Sequence, residues 1–181
     1  MHNDYTISQM TKEEVSVVID WARKEGWNPG LHDADCFYQT DPNGFFAGKL
    51  NGKIIAIGSA VNYDEQFAFC GFYRVDPAYR GKGYGLGLTK ARLAYIGKRN
   101  AGIDGVVNML EKYSHLGYRL AYHNARYHGE KLCVELFKNQ HIVRLNQVPL
   151  AQLVRYDRLH FPALRERFLS CWINQEGGGR V

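Results

Sequence analysis

The chain has 181 residues and a formal net charge of +5, with 45% hydrophobic and 23% charged residues. These proportions are typical of one well-buried globular domain with a small subdomain. No apolar run approaches the about 20 residues that span a bilayer, and residues 1–4 lack the basic start of a secretory signal. We therefore expect a cytoplasmic protein with no membrane segment.

Lysines and arginines are spread along the chain rather than gathered in a basic block with interleaved aromatic residues. The net charge alone therefore does not predict nucleic-acid binding. The cysteines form no Cys-x-x-Cys pair and have no histidine at zinc spacing, and neither His115 nor His123 has a ligand partner at a fixed spacing. We expect no bound metal, and reduced thiols at the four cysteines, Cys36, Cys70, Cys133 and Cys171.

The start of the chain predicts a helix followed by a loop that contains another short helix. Thr11 and Glu14 have the spacing of a capping box, after an extended start over residues 5–10. The helix is expected to run to about Lys24, and residues 27–42 are rich in turn formers. Its buried face is predicted to carry the apolar residues at three- and four-residue steps, Val15, Val18, Ile19 and Ala22.

Three consecutive strands are predicted next, over residues 44–50, 53–63 and 65–75. Asn51-Gly52 separates the first two and is the strongest short-range signal of a β-hairpin. The three strands should therefore form an antiparallel meander. A glycine-rich loop and a helix to about residue 98 follow, with a predicted stripe of Leu86, Lys90, Leu93 and Ile96 or Gly97.

The rest of the chain predicts a parallel strand and several short elements. Residues 103–107 form an apolar run suited to a buried parallel strand, and residues 110–116 suit a short helix. Helical segments interrupted at Phe161-Pro162 are expected over residues 150–173. Further strands are predicted over residues 118–127, 131–137 and 142–145. The predicted fold class is α/β, with a mixed sheet and flanking helices.

The segment between the third predicted strand and the next helix carries the clearest functional signal. Its alternating glycines let the backbone approach a ligand and turn N–H groups toward it, and the helix N-terminus adds partial positive charge. Two side chains add fixed positive charges. We therefore predict a pyrophosphate-binding loop made of Arg80, Gly81, Lys82, Gly83, Tyr84 and Gly85.

Two other phosphate-binding motifs do not fit the spacing of this loop. A P-loop needs Ser or Thr directly after Gly-Lys, and Gly83 stands there instead. The Gly-x-Gly-x-x-Gly dinucleotide motif fails because its last position falls on Leu86 or Leu88. Both motifs are therefore excluded.

The loop resembles the Arg/Gln-x-x-Gly-x-Gly/Ala pyrophosphate loop of the GNAT superfamily of N-acetyltransferases, through Arg80, Gly83 and Gly85. A second segment, from Tyr113 to Tyr118, is similar to the superfamily's Tyr-x-x-x-Gly-Phe segment, with Tyr118 in place of Phe. The first two thirds of the chain also follow the superfamily's order of elements. The resemblance implies the GNAT acyl-CoA N-acyltransferase fold, a mostly antiparallel central sheet that splays between strands 4 and 5.

The resemblance also implies where acetyl-CoA binds and which groups act on it. The cosubstrate would lie between the splayed strands, held by the loop, by the backbone near Tyr73 and Val75, and by a weaker contact from Asn108. Backbone amides over residues 72–75 would stabilise the tetrahedral oxyanion, and Tyr113 would protonate the departing CoA thiolate. The base that deprotonates the amine stays open among four acids, Asp33, Asp35, Asp64 and Glu65.

These features together predict an N-acetyltransferase that moves an acetyl group from acetyl-CoA to a primary amine by direct attack through a tetrahedral intermediate. No spacing in the sequence identifies the acceptor, and a small molecule, a peptide N-terminus and a protein lysine all stay open. The alternative is a noncatalytic acyl-CoA-binding module, which would keep the loop without needing Tyr113. A monomer and a homodimer are both compatible with the sequence.

Two regions are predicted, a GNAT domain over residues 1–137 and a C-terminal helical extension over residues 138–181. The extension, with Tyr156-Asp157-Arg158 and Trp172, resembles the start of the second half of two-part, YitH-like bacterial members of the superfamily. In those members the tail leads into more strands. We therefore expect that a C-terminal half is missing.

Overall fold

A computed structural model describes residues 4–30, 32–125, 127 and 143–176. Its strands are β1 (Tyr5–Gln9), β2 (Phe45–Leu50), β3 (Lys53–Asn62), β4 (Phe67–Val75) and β5 (Asn100–Ile103). Its α-helices are α1 (Lys12–Lys24), α2 (Asp33–Thr40), α3 (Tyr84–Ile96), α4 (Leu110–His115), α5 (Leu150–Asp157) and α6 (Glu166–Asn174). None of these described helices has the length and hydrophobicity needed to cross a membrane.

The described strands form one mixed sheet in the order β1-β2-β3-β4-β5. The first four are antiparallel neighbours, and β5 pairs with β4 in parallel. The hairpin between β2 and β3 turns at Asn51 and Gly52, whose φ angles of 49° and 79° are the left-handed values of a type I′ turn. The predicted meander, the parallel strand and the mixed α/β sheet are confirmed.

Helix α1 begins where its capping box predicts. Thr11 Oγ1 accepts from the Glu14 N–H at 3.3 Å, and Glu14 Oε2 accepts from the Thr11 N–H at 3.1 Å. Because the helix starts in this phase, its predicted apolar face turns inward, and all four residues of that face are buried: Val15, Val18, Ile19 and Ala22. Two of them share a core with Phe45 and Ile57 on one side of the sheet.

Helix α3 covers the opposite side of the sheet, and its buried face differs from the predicted stripe. The predicted stripe is right for Leu93, which packs against the core, and for Ile96, which is buried. It is wrong for Leu86, which is 54% exposed, and for Lys90, which is exposed as well. Gly85 sets the rotation of the helix, since its Cα lies against the Tyr73 hydroxyl and leaves no space for a side chain. Neither Gly85 nor Arg92 has an apolar side chain, so hydrophobic periodicity does not detect this face. The residues that face the sheet are Gly85, Leu88, Arg92 and Ile96.

The strand predicted over residues 118–127 is wrong. The described residues 118–125 and 127 adopt no regular element. Gly117, at φ 93°, ends α4, and the Tyr118 N–H turns back to donate to the Tyr113 carbonyl at 3.1 Å. The described residues after α4 therefore start from a tight turn rather than from an extended strand.

Strand β5 and the C-terminal strands also differ from their predictions. β5 spans Asn100–Ile103 and so ends where the strand predicted over residues 103–107 begins. Val107 is 72% exposed and lies in a short 3-10 helix. The strand predicted over residues 131–137 and the domain boundary after residue 137 lie outside the described residues. The strand predicted over 142–145 is described only from Val143 onward, where the chain leads into the 3-10 helix Leu145–Gln147.

The predicted C-terminal helices pack against α2. Phe168 on α6 is 8% exposed and stacks on Phe37 of α2, with ring centroids 5.0 Å apart. The interruption at Phe161-Pro162 is confirmed, and Arg165 spans it with a two-pronged ion pair to Asp157 at 2.6 and 2.7 Å. The helices after residue 150 therefore share a core with α2.

Two thiols meet at the contact between α2 and α6. Cys36 on α2 is fully buried, and its Sγ atom lies 2.8 Å from Sγ of Cys171 on α6. Burial, together with the neighbouring thiol, raises the pKa of Cys36 to about 12. Both are free thiols, as is Cys70 in the core, while Cys133 lies outside the described residues.

We expect Phe168→Ala to lower the free energy of unfolding by about 3 kcal/mol, because it removes a buried ring and leaves a cavity between α2 and α6. Trp172→Ala on the same helix is the control. Trp172 is 41% exposed, so its loss should cost less than about 1 kcal/mol. Urea denaturation followed by circular dichroism measures both variants. Equal losses would contradict the packing of α6 on α2.

Gly85→Ala should destabilise the protein by about 1–2 kcal/mol, although alanine normally favours a helix over glycine. The new Cβ would overlap the Tyr73 hydroxyl and lie 3.0 Å from Val75 Cγ2. Gly87→Ala in the same helix is the matched control, since its nearest neighbour would be Ile7 at 3.3 Å. Urea denaturation should also show that Tyr73→Phe recovers part of the Gly85→Ala loss. Without that recovery, the contact would not explain the effect.

Candidate functional site

The predicted loop is fastened to the end of β4 by two side chains. Asp76 Oδ1 accepts from the Ala78 N–H at 3.0 Å, which caps the 3-10 turn over Pro77–Tyr79. Arg80 Nε donates to the Val75 carbonyl at 2.9 Å. The loop therefore leaves the strand in a fixed direction.

The backbone N–H groups of residues 81–85 are the part of the loop that can bind an anion. None of them donates to an acceptor within the described residues, whereas the next two N–H groups, of Leu86 and Gly87, donate to the Gly83 carbonyl. Gly81 and Gly83 have φ angles of 76° and 83°, which residues with a side chain rarely adopt. The first turn of α3 adds its partial positive charge. This backbone has the donors that a pyrophosphate needs.

Both cations of the loop are engaged in contacts inside the protein. Arg80 Nη2 pairs with Glu25 at the end of α1, at 3.3 Å. Lys82 Nζ donates to the Ala78 carbonyl at 3.2 Å and lies 5.6 Å from the Tyr79 ring centroid. Glu25 therefore offsets part of the positive charge of Arg80. Among the described donors of the loop, the backbone N–H groups are therefore the ones that have no acceptor in the protein.

Strand β4 contains a bulge shortly before the loop. Between the Ile57–Arg74 pair and the Ser59–Gly71 pair, β4 has two residues where β3 has one. Phe72 and Tyr73 consequently have no register partner on β3. Phe72 has a φ of 48°, a left-handed value that is uncommon for a bulky residue and is found at constrained, functional positions.

Strands β4 and β5 part just before this bulge. Their parallel pairing covers four residue pairs and ends where Cys70 meets Ile103. β4 then continues for five more residues to Val75, and β5 pairs with none of them. The early end of the pairing leaves the open gap predicted between strands 4 and 5.

Two tyrosines of the second predicted segment lie near this gap. The Tyr113 ring packs on Gly105, where a Cβ would lie 2.9 Å from its Cδ2, and its centroid is 6.4 Å from that of Tyr118. Burial, and then the neighbouring Cys70 thiol, raises the pKa of the Tyr118 phenol well above its ordinary value. Tyr118 therefore stays protonated at neutral pH. Because Cys70 is the last residue of β4 that pairs with β5, this segment reaches the edge of the gap.

The structure places the other predicted site residues in different ways. The Tyr73 hydroxyl lies against Gly85, so its side chain braces α3 on β4. The Tyr84 carbonyl accepts from the Tyr5 hydroxyl at 2.9 Å, which ties the start of α3 to β1. Asn108 is exposed in a 3-10 turn and makes no side-chain hydrogen bond within the described residues.

The four acids considered as general base have no contact that distinguishes one of them. Asp64 accepts from two N–H groups of its own turn at 2.8 Å each, and Asp33 accepts from the Gly30 N–H at 2.8 Å. The Glu65 side chain is 96% exposed. The described residues contain no group of three His, Cys, Asp or Glu side chains placed to bind a metal ion.

A surface groove of about 1110 Å³ lies between α2 and α6, and Asp35 is among its lining residues. His32 and Cys171 also line it. The lining includes no residue of the loop or of the β4 bulge. This groove is therefore separate from the loop and from the β4 bulge.

The sequence did not predict where two residues near the site lie. Arg92 is buried beside the bulge, and the Tyr118 side chain reaches Cys70. For Arg92 a signal was available, since it stands in phase with Leu88 and Ile96 at four-residue steps. A charged residue inside an apolar helical face indicates a buried polar contact.

Comparison with known proteins agrees with this arrangement. The chain is 31% identical to a holothin acyltransferase from Pseudoalteromonas sp. (strain SANK 73390), over 97% of this chain and 60% of that one. A crystal structure assigned as an acetyltransferase from Pyrococcus horikoshii superposes with a TM-score of 0.68 at 16% identity, over 92% of this chain and 60% of that one. An aminoglycoside N-acetyltransferase solved with CoA gives a TM-score of 0.52 at 19% identity, over 71% of this chain and 97% of that one.

The chain spans about three fifths of the length of the first two of these relatives. The two structural similarities lie below 25% identity and show the fold alone. The sequence profile of the acetyltransferase (GNAT) family matches residues 12–122, from α1 through the segment of Tyr113 and Tyr118. This match covers more than half of the chain, which therefore belongs to the acetyltransferase (GNAT) family.

Proposed function

We propose that the protein transfers an acetyl group from acetyl-CoA to the amine of a small molecule. Membership of the GNAT family supports acyl transfer from an acyl-CoA to an amine. The observation that carries the proposal is the row of N–H groups over residues 81–85. These groups have no acceptor within the described residues, and they lie in the loop after β4, whose residues 71–75 have no β5 partner.

CoA contains a pyrophosphate, and the loop fits that group. N–H groups at a helix N-terminus bind phosphate oxygens through hydrogen bonds and partial charge. A Cβ at Gly81 or Gly83 would meet no atom within 4 Å, so the space around the loop is open to a ligand. The residues proposed to hold acetyl-CoA are Tyr73, Val75, Arg80, Gly81, Lys82, Gly83, Tyr84, Gly85 and Asn108.

When bound, acetyl-CoA supplies an activated acyl thioester. The role proposed for the chain is to hold the carbonyl oxygen with fixed donors as negative charge develops there. Phe72 and Tyr73 are proposed to provide these donors through their backbone N–H groups. The support is that neither residue has a register partner on β3 or β5. Removing one donor of this kind costs roughly 10²–10³ in rate.

Tyr113 is proposed to donate a proton to the CoA thiolate as the C–S bond breaks. A thiol with a pKa of about 8.5 and a phenol with a pKa of about 10 exchange a proton at little cost. The Tyr113 ring lies on Gly105, two residues after β5 ends. Tyr118 suits this role less well, because burial and the neighbouring Cys70 thiol raise the pKa of its phenol.

The acceptor is proposed to be a small amine such as holothin. The support is the relative named for holothin acylation, which is 31% identical across nearly the whole of this chain. An amine attacks only in its neutral form, so a base or a water must accept its proton. The contacts in the structure do not rank the acids that were considered for this step.

Gly83→Asp should weaken acetyl-CoA binding at least about tenfold, because it places a carboxylate in the pyrophosphate site. Gly97→Asp is the matched control. Both glycines flank α3, have positive φ (83° and 62°), and have no neighbour within 4 Å of a built Cβ. Calorimetric titration with acetyl-CoA measures both, and the control should stay within about threefold of wild type. Equal weakening in the two variants would argue against the loop.

Tyr113→Phe should lower kcat about 10²-fold and leave the Kd of acetyl-CoA unchanged, since only the proton donor is lost. Tyr122→Phe is the control, because Tyr122 is 70% exposed. Thiol release from acetyl-CoA, followed with a disulfide reagent, measures turnover with holothin and with a panel of simple primary amines.

The same assay separates catalysis from the noncatalytic alternative. Wild-type protein that binds acetyl-CoA but releases no thiol with any amine would support a binding module. Unchanged kcat in Tyr113→Phe would remove Tyr113 from the mechanism and leave the acyl transfer itself in place.

A further inference from the structure

Arg92 is a buried cation whose described contacts lie at the β4 bulge. It belongs to the sheet-facing side of α3 and is 6% exposed. Its Nε donates to the Ser59 carbonyl at 2.8 Å, and its Nη2 donates to the Gly71 carbonyl at 3.4 Å. Its guanidinium carbon lies 5.4 Å from the Tyr73 ring centroid. These contacts join α3 to β3 and β4 beside the extra residue of the bulge.

Strand β3 has space for this side chain because of a glycine. A Cβ at Gly58 would lie 2.9 Å from Cδ and 3.1 Å from Nε of Arg92, so a larger residue there would displace the arginine. Gly58 is also the residue of β3 that the register passes over at the bulge. The bulge, the glycine and the arginine therefore form one packing unit.

A guanidinium is not needed at this position to fill space. Its neighbours along the buried face, Leu88 and Ile96, are apolar, and an apolar residue would avoid the cost of removing a charge from water. No carboxylate pairs with Arg92 within the described residues. Backbone carbonyls solvate the charge instead. The property that distinguishes Arg92 is thus its hydrogen bonding.

The bond to Gly71 fixes the orientation of one peptide group. In a planar trans peptide, the carbonyl of residue 71 and the N–H of residue 72 point in opposite directions. Because Arg92 holds the Gly71 carbonyl, the Phe72 N–H points away from Arg92. Phe72 has no register partner on β3 or β5.

We propose that Arg92 is a positioning residue for acyl recognition, which keeps the Phe72 N–H aligned with the carbonyl oxygen of the thioester. The inference rests on the proposed function, because it requires an acyl-CoA in the gap between β4 and β5. Arg92 does not touch the substrate and acts through the 71–72 peptide. Its loss should weaken recognition of the carbonyl and leave recognition of the rest of CoA intact.

Two CoA derivatives separate these effects, acetyl-CoA and S-ethyl-CoA, which has the same number of carbons on sulfur but no carbonyl oxygen. The ratio of their Kd values, measured by calorimetry, reports carbonyl recognition without turnover. We expect wild type to prefer acetyl-CoA by about tenfold. In Arg92→Lys the ratio of the two Kd values should fall close to one, while the Kd of S-ethyl-CoA stays within about threefold of wild type. The kcat of this variant should fall about 10²-fold.

Arg99→Lys is the matched control. Arg99 also donates to backbone carbonyls, of Asp64 at 2.7 Å and Ile96 at 3.2 Å, but these lie away from the bulge. This variant should keep the wild-type ratio. Gly58→Ala is a second test, because its Cβ displaces Arg92 without removing the charge, so the ratio should fall as in Arg92→Lys. If urea denaturation shows that Arg92→Lys does not fold, the Kd ratio of Gly58→Ala tests the proposal in its place.

An unchanged ratio in folded Arg92→Lys, or equal weakening of both ligands, would overturn the proposal. A wild-type protein that does not distinguish the two ligands would overturn it too. Failure of the proposed function gives a different result, since wild type would then bind neither derivative.

Discussion

The early end of the β4–β5 pairing is the constraint on which the rest of the site depends. A parallel pairing that continued past Cys70 would use the backbone polar groups of residues 71–75 within the sheet. Because β5 stops there, and because the bulge takes two residues out of register with β3, Phe72 and Tyr73 are left without a register partner on either strand. Val75 then leads directly into the anion loop. One continuous stretch of chain can therefore serve both the acyl end and the phosphate end of a ligand.

Helix α3 fixes this stretch at two points. Its first turn carries the loop and contacts Tyr73 through Gly85, and Arg92 reaches the bulge from the same face of the helix. Gly85 and Arg92 are seven residues apart, which is about 10 Å along a helix axis. A displacement of α3 would move the loop and the bulge together. This coupling keeps the two ends of the site at a constant separation.

Elements with a local signature were predictable from the sequence. The capping box at Thr11, the Asn51-Gly52 hairpin and the alternating glycines after Val75 each depend on residues a few positions apart. The rotation of α3 was not predictable in this way, since a contact between Gly85 and a residue on β4 sets it. The positive φ of Phe72 likewise has no local cause, because phenylalanine gains nothing from that conformation.

The segment from Tyr113 to Tyr118 also has a local signature, whereas the strand predicted after it does not. Its motif identified Tyr113 and Tyr118, and the structure places their rings 6.4 Å apart. The strand expected after it failed, although its aromatic residues are typical of strands. Leu120 and Tyr122 are 59% and 70% exposed, and the described residues 118–125 form no strand. Composition alone therefore predicted a strand that these residues do not form.

The thiol pair between α2 and α6 affects how the protein must be handled. Cys36 and Cys171 are 135 positions apart in the chain, yet their sulfur atoms are 2.8 Å apart. A covalent bond between them would restrict the unfolded chain and stabilise the fold by on the order of 4–5 kcal/mol in the chain-entropy view. Thermal stability measured without a reducing agent would then report the crosslink as well as the packing. A molecule cut by a protease between these positions would also stay in one piece until it was reduced.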